Sequence, residues 1–312
     1  MPLWHRHSWL AYAAVLVGVI GHASSEFVSV LTGLGGPETS VWRFTLGGAG
    51  LVVVALLRRD SRDLLTPLRR HFARITGLAL LGVTLAYLSF HWSLDYATVP
   101  QVATLVTAIP IFVVVVAALV DRTRLAPVKL VTGALALVGA ALLVTDGYLA
   151  ELGGARRNLF GLVLVLCCAA SVGAYLILIR PVVAEYGALR ATALTMAIGG
   201  AALWLVVGLA WGRWVDLASL PDKPTDAIVA IVVLALFNTT LTQFLWIGGL
   251  AATPDMTRGA YLFFLKPVIA AALAVAFLAQ ELSLYQVGAA ALICSTVAVE
   301  LSWPRIARRL RA

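Results

Sequence analysis

Apolar runs of about 20 residues follow one another from one end of the 312-residue chain to the other. At 1.5 Å per helical residue, each is long enough to cross a hydrocarbon layer of about 30 Å. Runs such as Leu159 to Ile179 are apolar on every face, whereas a membrane β-barrel alternates apolar and polar positions over about ten residues. The expectation is an all-α integral membrane protein with ten transmembrane helices, near residues 8–30, 38–57, 73–93, 97–119, 126–145, 159–179, 189–211, 226–248, 254–278 and 283–302. Composition agrees: 61% of residues are apolar and 12% charged, about half the charged share of a soluble domain, so most of the surface has to face lipid. The first run follows Arg6 as a signal peptide would, but it is longer than a usual signal core and has no Ala-x-Ala site, so it reads as a retained helix.

The net charge of +8 would suggest a nucleic-acid partner in a soluble protein. Its distribution gives a different reason. Seventeen Lys and Arg fall on one side of the predicted spans, including Arg58, Arg59, Arg62, Arg69, Arg70 and Arg74 between spans two and three; four fall on the other, Arg156, Arg157, Arg213 and Lys223. The positive-inside rule then puts both termini in the cytoplasm, and no nucleic acid is expected. Cys167, Cys168 and Cys294 lie inside apolar runs with no disulfide or zinc spacing, so neither metal nor other cofactor is expected.

The second half of the chain repeats the first. Thr98-Val99-Pro100 opens span four and Thr253-Pro254 opens span nine; each span then carries a mid-span proline, Pro110 or Pro267. Fourteen residues beyond that proline comes a charged residue before leucine, Arg124-Leu125 or Glu281-Leu282. The expected units are residues 1–146 and 159–303, with a basic cytoplasmic tail at 304–312. An odd number of spans per unit inverts the second relative to the first. Inverted repeats suit alternating access, because two similar halves of opposite orientation can exchange roles around a central site. A mid-helix proline also frees a backbone carbonyl, tolerable in lipid only where protein or a cavity covers it, so Pro110 and Pro267 are expected to kink helices that face the centre.

From Ala235 to Gly288 the string ALFNTTLTQFLWIGGLAATPDMTRGAYLFFLKPVIAAALAVAFLAQELSLYQVG resembles the second repeat of the drug/metabolite transporter superfamily, in its EamA-type ten-helix exporters. The features that carry it are Leu245-Trp246, Ala251-Ala252, Pro267 before small residues, and Glu281. The first repeat is similar through Arg43, through YLSFHWSLDYATVPQVATLVTAIPI from Tyr87 to Ile111, and through Gly173-Ala174-Tyr175. Two departures stand out: Arg124 where the family usually has glutamate, and GHASSEF (Gly21 to Phe27) in place of a tryptophan-glycine signature. The resemblance implies a basket of helices around a central cavity that exports amino acids, aromatic ones included, or related metabolites. Relatives that exchange nucleotide sugars or sugar phosphates supply the alternative.

Ionisable side chains inside a bilayer cost roughly 2.5–3.5 kcal/mol each on insertion scales, so each marks a candidate site. His22 and Glu26 share a face of span one, Arg43 sits at similar depth in span two, and Lys266 is deepest, just before Pro267. A Glu26–Arg43 ion pair is the simplest arrangement; these two and His22 are the candidates for an outer gate or a proton path. Lys266, about a dozen residues from either end of its span, is expected to face the cavity and attract a carboxylate or phosphate. Tyr87, His91, Tyr175 and Tyr261, with Gln101, Thr104, Asn238 and Gln243, are expected to complete the lining. Trp92 and Trp246, close to span ends, read as interfacial anchors. Ser283 and Gln286 read as a capping box that opens span ten, with Glu281 beside it at the helix boundary.

Function classes separate on the same residues. The Walker pattern G-x-x-x-x-G-K-[ST] is missing and every predicted connection is short, about 16 residues at most, so energy for transport has to come from gradients. His-Glu-x-x-His is missing, and His22 with Glu26 is too sparse for an intramembrane enzyme. A receptor or structural membrane protein is the remaining class. The reading is a secondary-active or facilitative transporter, not an enzyme, working as a monomer on a small metabolite in the lipid bilayer.

Overall fold

The structure, a computed structural model, describes residues 8–145, 156–278 and 281–309. Arg6, the connection between the two expected units and the last three residues of the tail lie outside these. Among the described residues ten helices are long and apolar enough to cross a membrane: α1 Ser8–Leu31, α2 Gly36–Leu57, α3 Phe72–Ser93, α4 Gln101–Val120, α5 Pro127–Val144, α6 Leu159–Leu178, α7 Ala188–Trp211, α8 Thr225–Ala252, α9 Met256–Leu273 and α10 Leu284–Trp303. Each overlaps a span expected from hydropathy, and the chain is an all-α, multi-pass membrane protein. The last helix continues through Trp303 to Arg309, so the expected basic tail begins as helix.

Local chemistry sets the ends. Pro37 and Pro127 open α2 and α5 at positions where a missing N–H costs nothing. Gly212, at φ +66°, ends α7 in a conformation that a side chain would disfavour. Ser283 and Gln286 cap each other ahead of α10, each accepting the other's backbone N–H at 3.2 and 3.1 Å, with Glu281 in the preceding coil.

Among the described residues five of these helices are interrupted, and four of the interruptions come in pairs five helices apart. A π-helical segment occupies Leu80–Leu85 in α3 and Val233–Leu241 in α8. The widened turn of α8 is closed by Thr239 and Thr240, whose hydroxyls donate to the carbonyls of Leu234 (2.9 Å) and Ala235 (3.2 Å). In α4 the helix turns at Thr107 and Ala108 and restarts at Ile109 with Pro110 in its first turn. In α9 the 3₁₀ segment Leu262–Leu265 precedes a restart at Lys266, again with proline next. α1 breaks at Ser24 as well.

Packing repeats with the same exchange. α2 crosses α7, and α5 lies on α10; α1 packs on α8 as α3 packs on α6; α4 meets α6 as α9 meets α1. The α2–α7 crossing is close because it is made of glycine: a Cβ on Gly48 would lie 2.9 Å from the Met196 carbonyl oxygen, and one on Gly200 would lie 2.6 Å from that of Phe44. α5 and α10 bury the least of their surface, so that pair stands at the periphery. The other eight helices enclose the centre.

Candidate functional site

At the centre is a chamber of about 30 Å³, room for about two water molecules. Its walls combine rings (Tyr87, Phe90, Tyr175, Trp246, Phe263) with polar groups (His22, Ser25, Arg43, Gln243, Lys266), and Ile109, Met196 and Cys168 fill between them. All eight enclosing helices contribute, four from each expected unit.

Spaces of very different size lie on either side. A vestibule of about 670 Å³ opens among the α2–α3, α6–α7 and α8–α9 connections, lined by Arg58, Asp60, Arg180 and Arg190 above Leu189, Phe244, Gly248 and Met256. It adjoins a second space of about 380 Å³ that shares Arg180, Pro254 and Met256 with it. Both lie on the arginine-rich side. On α6, Tyr175 and Leu176 face the chamber, and Arg180, just past its end, faces the vestibule; on α8, Gln243 and Trp246 face the chamber and Phe244 and Gly248 the vestibule. The layer between is therefore about one helical turn thick. Toward the opposite side, a cleft of about 270 Å³ runs among α1, α4, α5, α9 and the start of α10. Lys266 lines both chamber and cleft.

Lys266 Nζ donates to Glu26 Oε1, and both side chains are buried. This corrects the expected Glu26–Arg43 pair. Hydropathy gives depth along a helix but not the direction a side chain takes around it, and Glu26 faces α9 while Arg43 faces α8. Ser25 Oγ supports the carboxylate, donating to Oε2 at 3.3 Å, and also contacts the His22 carbonyl at 2.9 Å. His22 stands edge-on to Trp246 (5.6 Å) and Phe263 (5.5 Å), with Nε2 buried and unpartnered.

Arg43 is fully buried. Its Nε donates to Thr239 Oγ1 (2.9 Å), Nη2 to the Asn238 carbonyl (3.1 Å) and Nη1 to His91 Nε2 (3.4 Å). A guanidinium only donates, so Nε2 is the acceptor and Nδ1 carries the His91 proton toward the Tyr87 carbonyl (2.9 Å). Ser40 Oγ sits 2.8 Å from the same Nδ1. The Tyr87 and Phe44 rings flank the guanidinium at 5.3 and 5.2 Å.

Among the expected lining residues, Tyr87, Tyr175, Gln243 and Lys266 reach the chamber. Gln243 Nε2 donates to the Tyr87 hydroxyl, and the Tyr175 hydroxyl lies 2.9 Å from Thr195 Oγ1. The others do not line it. His91 stands behind Arg43. Asn238 Nδ2 spans to α1, donating to the Gly21 carbonyl (2.5 Å) and Ser24 Oγ (2.9 Å) at the helix break. Gln101 forms a capping box with Thr98 at the start of α4, and Thr104 is buried with its hydroxyl unpartnered. The Tyr261 hydroxyl donates to the Lys129 carbonyl on α5. Residues three apart eclipse in a 3₁₀ turn, so Phe263 shares the chamber face with Lys266 while Tyr261 points away. Trp246 is corrected too: it is 2% exposed and lines the chamber. Trp92 joins an aromatic cluster with Trp211, Tyr96 and Phe160.

Sequence reasoning missed Phe90 and Phe263, each three residues from an expected lining residue and so legible by periodicity. It also missed a charged knot at the arginine-rich end. Asp255 caps α9, accepting from the backbone N–H groups of Thr257 (3.0 Å) and Arg258 (3.3 Å), and pairs with Lys129 Nζ (3.3 Å) and Arg258 Nε (3.0 Å). Glu300, fully buried, lies 3.6 Å from the same Nε. Burial pushes the Asp255 carboxyl up, but the Thr257 hydroxyl, Lys129 and the Arg258 N–H outweigh it and hold the group below its ordinary range. Among the described residues no group of three or more His, Cys, Asp or Glu side chains is placed to hold a metal.

The model of the EamA-like transporter family matches residues 7–145 and again 159–301. None of the curated proteins matches the chain. A solved structure, described only as the crystal structure of a protein, superposes with a TM-score of 0.77 at 19% identity over 96% of this chain and 99% of its own, which shows a common fold. With most of its length matched in two consecutive copies, this ten-helix membrane protein belongs to the EamA-like transporter family.

Proposed function

We propose that the chain moves small metabolites by alternating access, as a secondary-active or facilitative exporter in the inner membrane with both termini in the cytoplasm. The observation that carries this reading is the small central chamber, walled by helices of both halves and set between two unlike barriers. On the arginine-rich side the barrier is about one helical turn of mostly apolar side chains; on the other it is the Glu26–Lys266 pair. Residues 1–146 and 159–303 act as inverted halves, supported by the double family match and by interruptions that pair α3 with α8 and α4 with α9. At about 30 Å³ the chamber is far below the few hundred Å³ of a metabolite site. Loading therefore has to widen it, and the restarts at Ile109 and Lys266 are the hinges.

Amino acids, aromatic ones included, are the first expected cargo, because aromatic rings and hydrogen-bonding groups both line the chamber. No nucleic acid, second subunit or chemical step enters this reading. A proteoliposome uptake screen over amino acids, nucleotide sugars and sugar phosphates, with and without a pH gradient, tests it. Flux of at least one amino acid above empty liposomes is expected; flux of none of these compounds overturns it.

A further inference from the structure

Arg43 lacks something that every other buried charge near the chamber has. Glu26 and Lys266 neutralise each other, whereas the three partners of Arg43 are a hydroxyl, a carbonyl and an imidazole nitrogen. No acidic side chain pairs with it among the described residues. A guanidinium has five N–H groups, and these contacts use three. Two donors of a fully buried cation that lines the chamber therefore have no acceptor among the described residues. Burying a charge inside a membrane without a counter-charge is costly.

We infer that the missing counter-charge is the carboxylate of the cargo, and that the chamber binds a monocarboxylate with an apolar body. This rests on the transport reading above and narrows its substrate class. The two N–H groups that these contacts do not use, one on Nη1 and one on Nη2, are available to the two oxygens of a carboxylate. Phe90, Trp246, Phe263 and Met196 supply the surface for the apolar body. Charge balance limits the head group. With Glu26 and Lys266 cancelling, the chamber carries one net positive charge, which a single carboxylate offsets. A nucleotide sugar or a sugar phosphate brings a second negative charge to the same place, and an amino acid brings an ammonium that this balance does not cover, so 3-phenylpropionate is a closer match than L-phenylalanine. An amine without a carboxylate brings a second cation to the same place. The approach agrees in sign: Arg58 pairs with Asp60 and Arg180 with Asp121, and Arg190 leaves the vestibule lining with a net positive charge that concentrates anions at its mouth.

Three ligands that share one phenyl ring test this on purified protein in nanodiscs: 3-phenylpropionate, L-phenylalanine and phenethylamine, each titrated by thermal shift and by quenching of tryptophan fluorescence. Both carboxylates are expected to bind roughly 10- to 100-fold more tightly than the amine, and Arg43→Gln should remove that preference. Because the ligand series is read on the wild-type protein, it decides the matter even where Arg43→Gln fails to fold. Phenethylamine binding as tightly as the acids, or no binding of either acid at millimolar concentration, overturns the carboxylate site. Transport fails separately: absence of flux in the uptake screen alongside carboxylate-selective binding would sink the transport reading and leave the site standing.

Discussion

Glu26 and Lys266 illustrate how a buried ion pair contributes. Each partner alone is an uncompensated charge in a low-dielectric interior, and breaking such a pair from one side costs about 3–5 kcal/mol, while replacing both members is close to neutral. Glu26→Gln and Lys266→Met are each expected to lower the Tm sharply in detergent, and the double variant to recover most of it. Additive losses in the double variant would show that the two side chains act separately. Asp255 gives a pH signature at the same scale. Its carboxyl titrates below its ordinary value in the fold, so its stabilising contribution is complete above about pH 4, near the unfolded-state value. That contribution is lost as pH falls through the lower folded value. The Tm deficit of Asp255→Asn relative to wild type should be present at pH 7 and close as the pH is taken below about 4.

At the scale of helices, irregularity and close approach divide the work. α2 and α7 meet through Gly48 and Gly200, where an added methyl has only backbone to displace. Gly200→Ala is expected to cost about 1–3 kcal/mol through the forced separation. Gly77 in α3 has nothing within 4 Å of its would-be Cβ, so Gly77→Ala should be neutral or stabilise by up to about 1 kcal/mol. Equal Tm shifts for the two variants would refute the close-approach account. Pro110 and Pro267 begin helical segments rather than bend continuous ones. Replacing either with alanine allows the preceding turn to become α-helical and stiffens the hinge. Flux should therefore fall several-fold while Tm holds or rises, measured on the same preparations.

At the scale of the molecule, the vestibule and the cleft report orientation and access. On a cysteine-free background, Ala251→Cys in the vestibule should react with a membrane-impermeant maleimide in inside-out vesicles and not in right-side-out ones; Ala23→Cys in the cleft should show the opposite preference. Reversal of both patterns would invert the proposed topology. Loading the protein with 3-phenylpropionate should change both labelling rates, because widening the chamber has to move one barrier or the other.

Some of this was written in the sequence. Ten spans, the paired prolines and the intramembrane charges follow from local rules, since lipid demands helices of a fixed minimum length and prolines and charges carry their meaning wherever they sit. The capping box at Ser283 and Gln286 was legible for the same reason: its partners lie three residues apart. Which charge meets which was not. Glu26 finds Lys266 from the far end of the chain, Arg43 turns to Thr239 and Asn238, and Tyr261 leaves the chamber for α5. Those outcomes depend on the rotation of each helix about its axis, which the π and 3₁₀ segments reset by fractions of a turn and which the packing of eight helices around one centre then fixes. That charge would be buried in this membrane is legible along the chain; that Arg43 would be the buried charge left without a counter-charge among the described residues follows from how the helices pack.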